Sequence, residues 1–389
     1  MCIINKKVIP SLRFPEFAND GEWEIKTMGE IVMSFSGGTP SVNKKEYYGG
    51  NIPFIRSGEI NSDHTELFLT QEGINNSSAK IVKKGTILYA LYGATSGEVG
   101  IARLDGAINQ AILAIKPNEG YDSLFIYYYL KNQKDTIVHN YIQGGQGNLS
   151  GAIINALSIP IPTLLEQKHI ATCLFELDKL LNVTNGKVEQ LRTHKKSLMQ
   201  KLFPQKGKDI PEFRFTEYKE ENTWEKKELR DIIKVNSGRD YKHLGIGKIP
   251  VYGTGGYMLS VDGKLSDIDA VGIGRKGTID RPQYLKAPFW TVDTLFFLTN
   301  NIGYDIKFIY YLSQNIPWKK YGEQTGVPSL SKSSIENLEV MVPSSINEQK
   351  MIAQVLSSLD EEIELLERKS ALLENHKKGL MQQLFPNKI

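Results

Sequence analysis

From Ile352, apolar residues return at every seventh position: Ile352, Leu359, Leu366, Leu373 and Leu380. A second set lies four residues on, at Leu356, Ile363, Ser370, Lys377 and Leu384. Two interleaved heptad stripes make the seam of a long helix that packs along another helix. The same seam occurs 182 positions earlier, as Ile170, Leu177, Thr184, Leu191 and Leu198 with Leu174, Leu181, Val188, Lys195 and Leu202. Each copy keeps a lysine at the same late position, and a polar seam position weakens packing while fixing register. Both helices have matching ends. Thr163 and Ser345 stand three residues before Glu166 and Glu348, the spacing of a capping box. Phe203-Pro204 and Phe385-Pro386 close them, because proline cannot continue a helix. A helix of about 38 residues is roughly 57 Å long. A lone heptad run would suit simple oligomerisation, but two matched copies in one chain favour an intramolecular, antiparallel pair. The residues expected at that packing are Leu174, Leu177, Leu181, Leu191, Leu198, Leu356, Leu359, Ile363, Leu366, Leu373 and Leu380.

A second echo precedes each half. Ile9-Pro10 with Phe14 and Trp23 returns as Ile210-Pro211 with Phe215 and Trp224, and Arg13 returns as Arg214, all 201 positions on. Such a period is too long for a solenoid and indicates two tandem domains. The intervening regions read differently from the helices. Thr86–Leu91, Ala111–Ile115 and Leu295–Leu298 are short strand-like runs between Gly-rich turns, and Phe125–Leu130 and Phe308–Leu312 are short aromatic helix candidates. The expected fold is α+β: two mixed α/β domains in tandem, each followed by a long helix, with the helices paired as an antiparallel coiled coil of pseudo-twofold symmetry. The expected boundaries are 1–163 and 206–344 for the globular domains, and 164–205 and 345–389 for the helices.

Composition narrows the class. A chain of 389 residues, 40% hydrophobic and 23% charged, is an ordinary globular protein with room for two or three domains. A net charge of +3 requires any affinity for nucleic acid to come from local clusters of Lys and Arg. Cys2 and Cys173 provide neither a disulfide framework nor a cysteine-rich zinc site. No run approaches the roughly 20 apolar residues of a membrane span, and the N-terminal region has no signal-peptide stretch, so the expected location is the cytoplasm with no membrane partner.

The helices and the lead-in motif stay alike between halves, whereas the globular regions diverge and the first is about 19 residues longer. Heads that differ on a shared scaffold suit two different contacts. Candidate contact residues lie in the Gly-rich turns: Thr39, Arg56, Ser57, Tyr92, Thr95, Ser96, Gln143, Gln146 and Asn148 in the first half. The second half offers Arg239, Tyr252, Thr254, Arg275, Lys276, Gln324 and Thr325. Side chains of these types read base edges or hold phosphates, and glycine lets backbone approach a phosphate closely. Ordinary polar turns are the competing reading of any one of them. The recurring His194-Lys195-Lys196 and His376-Lys377-Lys378 are read as cations offsetting the negative ends of helices.

Enzyme signatures do not appear. There is no Gly-x-x-x-x-Gly-Lys-Ser/Thr phosphate loop, and the six histidines lack metal-ligand spacing. Asn51-Ile52-Pro53-Phe54 and Asn315-Ile316-Pro317-Trp318 lack the first proline of the adenine-methyltransferase motif and read as turns. Glu166-Gln167-Lys168 and Glu348-Gln349-Lys350 match the tail of a nuclease Glu-x-Lys pattern, but their place at a helix start favours capping. No catalytic or metal residue is expected in the chain.

Two divergent globular halves, each followed by a proline, a Glu-Gln-Lys helix start and a Leu-Met-Gln-x-Leu-Phe-Pro helix end, resemble the specificity subunit of type I restriction–modification systems. Ile159-Pro160-Ile161-Pro162 leading to Glu166-Gln167-Lys168, Val342-Pro343 leading to Glu348-Gln349-Lys350, and Gly37-Gly38-Thr39-Pro40 carry the likeness, which covers nearly the whole chain. The second half departs from it, with Ser237-Gly238-Arg239 where the family often has Gly-x-Thr-Pro. The resemblance implies a non-catalytic reader of double-stranded DNA. Each globular half would be a target recognition domain on one part of a split asymmetric site, and the helices would set the unread spacer. Two modification subunits carrying S-adenosylmethionine would dock along the helices, and restriction subunits using ATP and Mg would complete the endonuclease. No cofactor would belong to this chain. A stand-alone DNA methyltransferase or nuclease, and a coiled-coil adaptor for proteins, are the alternative readings.

Overall fold

The computed structural model describes residues 8–143, 148–220, 224–322 and 326–386. They form two compact units, 1–183 with 369–389 and 184–368. Both heptad segments are continuous helices, Leu164–Leu202 and Ile346–Leu384, and they run antiparallel, the start of each sharing a core with the end of the other. Each helix begins in one unit and ends in the other, so each unit contains half of both. The apolar seam positions are buried or half-buried throughout, with Ile170, Leu174, Ile352 and Leu356 almost wholly enclosed.

The head of the first unit carries a four-stranded antiparallel sheet ordered Val32–Ser36, Ile112–Pro117, Ile87–Ala90 and Val99–Ile101. Its Ile87–Ala90 strand is buried at all four positions, which is why it reads as an unbroken apolar run. A second sheet is ordered Phe68–Leu69, Tyr48–Ile55, Gly106–Ile108 and Lys80–Val82, with one parallel pairing between Phe54 and Ala107. The second unit repeats this plan. Its main sheet is Ile233–Ser237, Leu295–Asn300, Ala270–Gly274 and Gln283–Leu285. Its smaller sheet, Gly256–Val261, Ile246–Gly253 and Trp290–Thr291, again contains one parallel pairing, Val251 with Trp290.

The aromatic segments are helices, Ser123–Val138 and the shorter Ile306–Asn315. Asp122 and Asp305 cap them, each carboxylate accepting from the amide three residues on at 2.9 Å. Two expectations change. Asn51-Ile52-Pro53-Phe54 lies inside the Tyr48–Ile55 strand, not in a turn, because its neighbours on both sides offer sheet partners. Asn315–Trp318 runs from the end of a helix into a short 3₁₀ segment.

The Phe-Pro ends do more than stop helices. Phe385 enters the core of the first unit against Phe125 and Tyr129, with ring centroids 5.4 and 5.8 Å away. Phe203 does the same in the second unit against Phe308 and Trp224, at 5.6 and 6.1 Å.

Candidate nucleic-acid interface

The duplicated lead-in and the duplicated helix start are two halves of one clasp. Arg13 grips Glu166 through one edge of its guanidinium, Nε and Nη2 donating to the two carboxylate oxygens at 2.8 and 2.7 Å. Arg214 grips Glu348 in the same way, at 2.8 Å for each contact. The neighbouring glutamine completes the joint. Gln167 accepts from the Asp122 amide and donates to the Pro162 carbonyl, while Gln349 accepts from Asp305 and donates to Pro343. The Glu-Gln pair therefore secures each head to its helix. The expected capping boxes do not close: the Glu166 amide donates to Thr163 Oγ1, but the Glu166 and Glu348 carboxylates are committed to Arg13 and Arg214. A buried carboxylate needs a counter-charge more than a helix end needs a second cap.

The seam lysines have partners too. Lys377 pairs with Asp178, which also accepts from Tyr128 Oη at 2.8 Å, and the ammonium lies 5.2 Å from that ring's centre. In the second unit Lys195 pairs with Asp360 at 2.6 Å, Tyr311 Oη donates to Asp360 at 2.7 Å, and the ammonium lies 5.1 Å from the Tyr311 ring. These lysines join the long helices to the aromatic helix of each head, a more specific role than offsetting a helix dipole. Burial lowers Lys377 below the usual lysine range, opposed by its hydrogen bond to Asp178.

The turn residues occupy varied environments. Gly37 and Gly238 are demanded by packing, since a Cβ on either would run into a backbone carbonyl, of Ile108 or Val292 respectively. Thr39 is exposed and hydrogen-bonds Gln110. Arg56 is held by Glu59 and by Glu66. Burial raises the Glu59 carboxyl, but hydrogen bonds from Arg56 and from the backbone outweigh it and bring it down to about 2. Ser57, Tyr92, Thr95 and Ser96 are half-buried, with Tyr92 against the core, and Asn148 is exposed. Arg239 is exposed, and its carbonyl accepts from Trp290 Nε1 at 2.8 Å. Tyr252 packs edge-on to Tyr257, and Gln283 holds the turn carrying Thr254 by donating to the Gly253 and Thr254 carbonyls. Burial raises the Tyr252 phenol above its usual value. Arg275 and Lys276 are exposed side by side. Gln146, Gln324, Thr325 and the side chain of Gln143 lie outside the described residues.

Among the described residues, no group of three or more His, Cys, Asp or Glu could hold a metal ion. No helix among them is long and apolar enough to cross a membrane.

The repeats display both arginines and both glutamates as echoes but not their pairing. Ser331 and Lys332, which are not among the turn candidates, share a cavity with Arg275. The signal was the Leu-Ser dipeptide that precedes a short helix in both halves, Leu149-Ser150 and Leu330-Ser331.

With two heads of one topology on paired helices, comparison with known proteins is direct. Residues 20–193 and 221–375 match the type I restriction modification DNA specificity domain. The chain belongs to that family. It is 25% identical over 425 aligned residues to the type I restriction enzyme MjaVIII specificity subunit of Methanocaldococcus jannaschii, covering 99% of this chain and 96% of that protein. The MjaIX specificity subunit of the same organism is 32% identical over 233 residues, 56% of this chain. Among solved structures, the S subunit of a type I restriction-modification system from M. genitalium superposes with a TM-score of 0.72 at 21% identity, over 98% of this chain and all of that one.

Proposed function

We propose that this chain is the DNA specificity subunit of a type I restriction–modification complex, reading a split, asymmetric DNA site with two recognition heads. The observation that carries the reading is the family match in both halves, joined to two heads of the same strand plan whose turns carry different side chains. The proposed recognition domains are 1–163 and 206–344, and the proposed spacers are 164–205 and 345–389. Two modification subunits would dock along the helices and supply S-adenosylmethionine; restriction subunits would supply ATP-driven cleavage. A solved relative described in terms of complex assembly of a type I system, with a TM-score of 0.51, is consistent in fold. The work belongs in the cytoplasm, where the DNA is. The target adenine must leave the stack to be methylated, and that step falls to the partner's active site. The candidate turn residues Thr39, Asn148, Arg239, Thr254, Arg275 and Lys276 are the proposed contacts to DNA.

The test is a comparison of methylated adenines in the host genome with and without this gene, followed by exchange of residues 210–343 for those of another family member. The expected result is loss of methylation at a bipartite motif on deletion, and a change in one half of the motif on exchange. An exchange that leaves both halves unaltered would refute the modular reading. Methyl transfer by the purified chain alone would establish the stand-alone enzyme instead.

A further inference from the structure

The second head contains a cavity of about 440 Å³ lined by Ser237, Arg275, Lys276, Phe296, Ser331 and Lys332. Its cations are held in place by the backbone. The Arg275 amide donates to the Thr294 carbonyl and its own carbonyl accepts from Leu330, both at 2.8 Å. The next turn is tied down by the Gly277 amide, which donates to Pro328 at 2.9 Å. The Arg275 guanidinium lies over the buried ring of Phe296, 5.7 Å from its centre. A guanidinium that lies over an aromatic ring still has N–H donors to offer other partners. Among the described residues neither Arg275 nor Lys276 makes an ion pair, and Lys332 reaches Glu336 only at 3.6 Å. Arg56 of the first head is the contrast, being neutralised by two glutamates.

The first head has the same backbone framework at this place without the charge. Ser36 stands opposite Leu113 on paired strands, as Ser237 stands opposite Phe296. The Leu91 amide donates to Ala111 and its carbonyl accepts from Leu149, the pattern of Arg275 with Thr294 and Leu330. The residues that replace Arg275, Lys276 and Lys332 are therefore Leu91, Tyr92 and Gly151. One scaffold position is apolar in one head and tricationic in the other.

Resting on the function proposed above, we infer that the second head's socket holds a backbone phosphate of the DNA, and that the first head's equivalent does not. Arg, Lys and Ser side chains present donors on several sides of a concave site, which suits an oxyanion; a base edge presents donors and acceptors together. Phosphate anchoring is thereby concentrated on one half-site, and that half-site carries more of the salt dependence.

The experiment measures affinity against monovalent salt, using the chain assembled with its modification subunits and a 40-base-pair duplex of arbitrary sequence. Each phosphate contact contributes about 0.9 to the slope of log K against log salt. R275Q/K276Q is expected to reduce that slope by about 1 and to weaken binding roughly tenfold at 0.1 M salt, equally on arbitrary and target duplexes. R275K, which keeps the charge, should retain the slope. An unchanged slope in R275Q/K276Q overturns the assignment, as does a loss confined to the target duplex, which would mean base reading. A wild-type complex that does not prefer its target duplex would instead sink the specificity-subunit reading, so the two failures are separable.

Discussion

At the scale of single residues, buried charge is organised around two glutamates. Glu166 and Glu348 are almost wholly enclosed, and a carboxylate in that setting survives only with a matched partner, which the bidentate arginines provide. The clasps differ at the tryptophan. Trp224 Nε1 donates to Glu348 Oε1 at 3.2 Å, whereas Trp23 Nε1 is buried with no hydrogen bond among the described residues. Replacing either tryptophan with phenylalanine leaves a similar void, so the difference between W224F and W23F isolates the hydrogen bond. W224F should be the more destabilising by about 1–2 kcal/mol in urea unfolding, the usual range for a bond to a charged group. Glu59 gives a pH prediction. Its folded value, about 2, lies below the ordinary 4.5, so its contribution is fully present above the ordinary value and is lost as pH falls toward 2. Hydrogen exchange at the Arg56 and Glu66 amides, both of which donate to Glu59, should quicken relative to the rest of the head across that interval; E59Q should abolish the extra pH dependence.

At the scale of elements, the heptad seam tolerates lysine because the structure surrounds it. The side chain of Lys377 is only 9% exposed and that of its partner Asp178 is 28% exposed, while Lys195 and Asp360 are 15% and 37% exposed. Removing one member of an enclosed pair strands the other, which costs about 3 kcal/mol or more when burial is complete and less when it is partial. D178N should therefore destabilise the first unit by roughly 2 kcal/mol, and adding K377M should restore part of that loss. Additive losses in the double variant would show that the lysine does not depend on the aspartate. Interhelical pairs at the surface, Lys187 with Glu362 and Arg192 with Glu367, are about half exposed and contribute much less.

At the scale of the whole molecule, the first unit is assembled from two distant parts of the chain. Met381, Leu384 and Phe385 belong to the same core as Trp23, Phe125 and Leu174. The second unit takes Met199, Leu202 and Phe203 from the preceding helix into the corresponding core. Truncation after Arg368 removes three large side chains from the first core and none from the second. Deleting a single large core side chain typically costs 2–5 kcal/mol, so the first unit should lose protection throughout its main sheet in hydrogen exchange. The Ala270–Gly274 strand should stay protected. Equal loss in both units would contradict the division of the two cores.

Much of this architecture was legible in the residues. Heptad periodicity located both helices nearly to their ends, because such a seam is a local, repeated signal that a single long helix displays in full. The shifts of 182 and 201 positions disclosed the duplication, and apolar runs such as Ile87–Ala90 located interior strands. Partner choice was not legible. That Arg13 meets Glu166, that Lys377 meets Asp178, that Arg56 is neutralised while Arg275 and Lys276 are not, depends on which surfaces the antiparallel helices and folded sheets bring together. Local propensity fixes how each segment coils or extends, but the counter-charge of a buried group comes from whichever segment tertiary packing places beside it, often more than a hundred positions away.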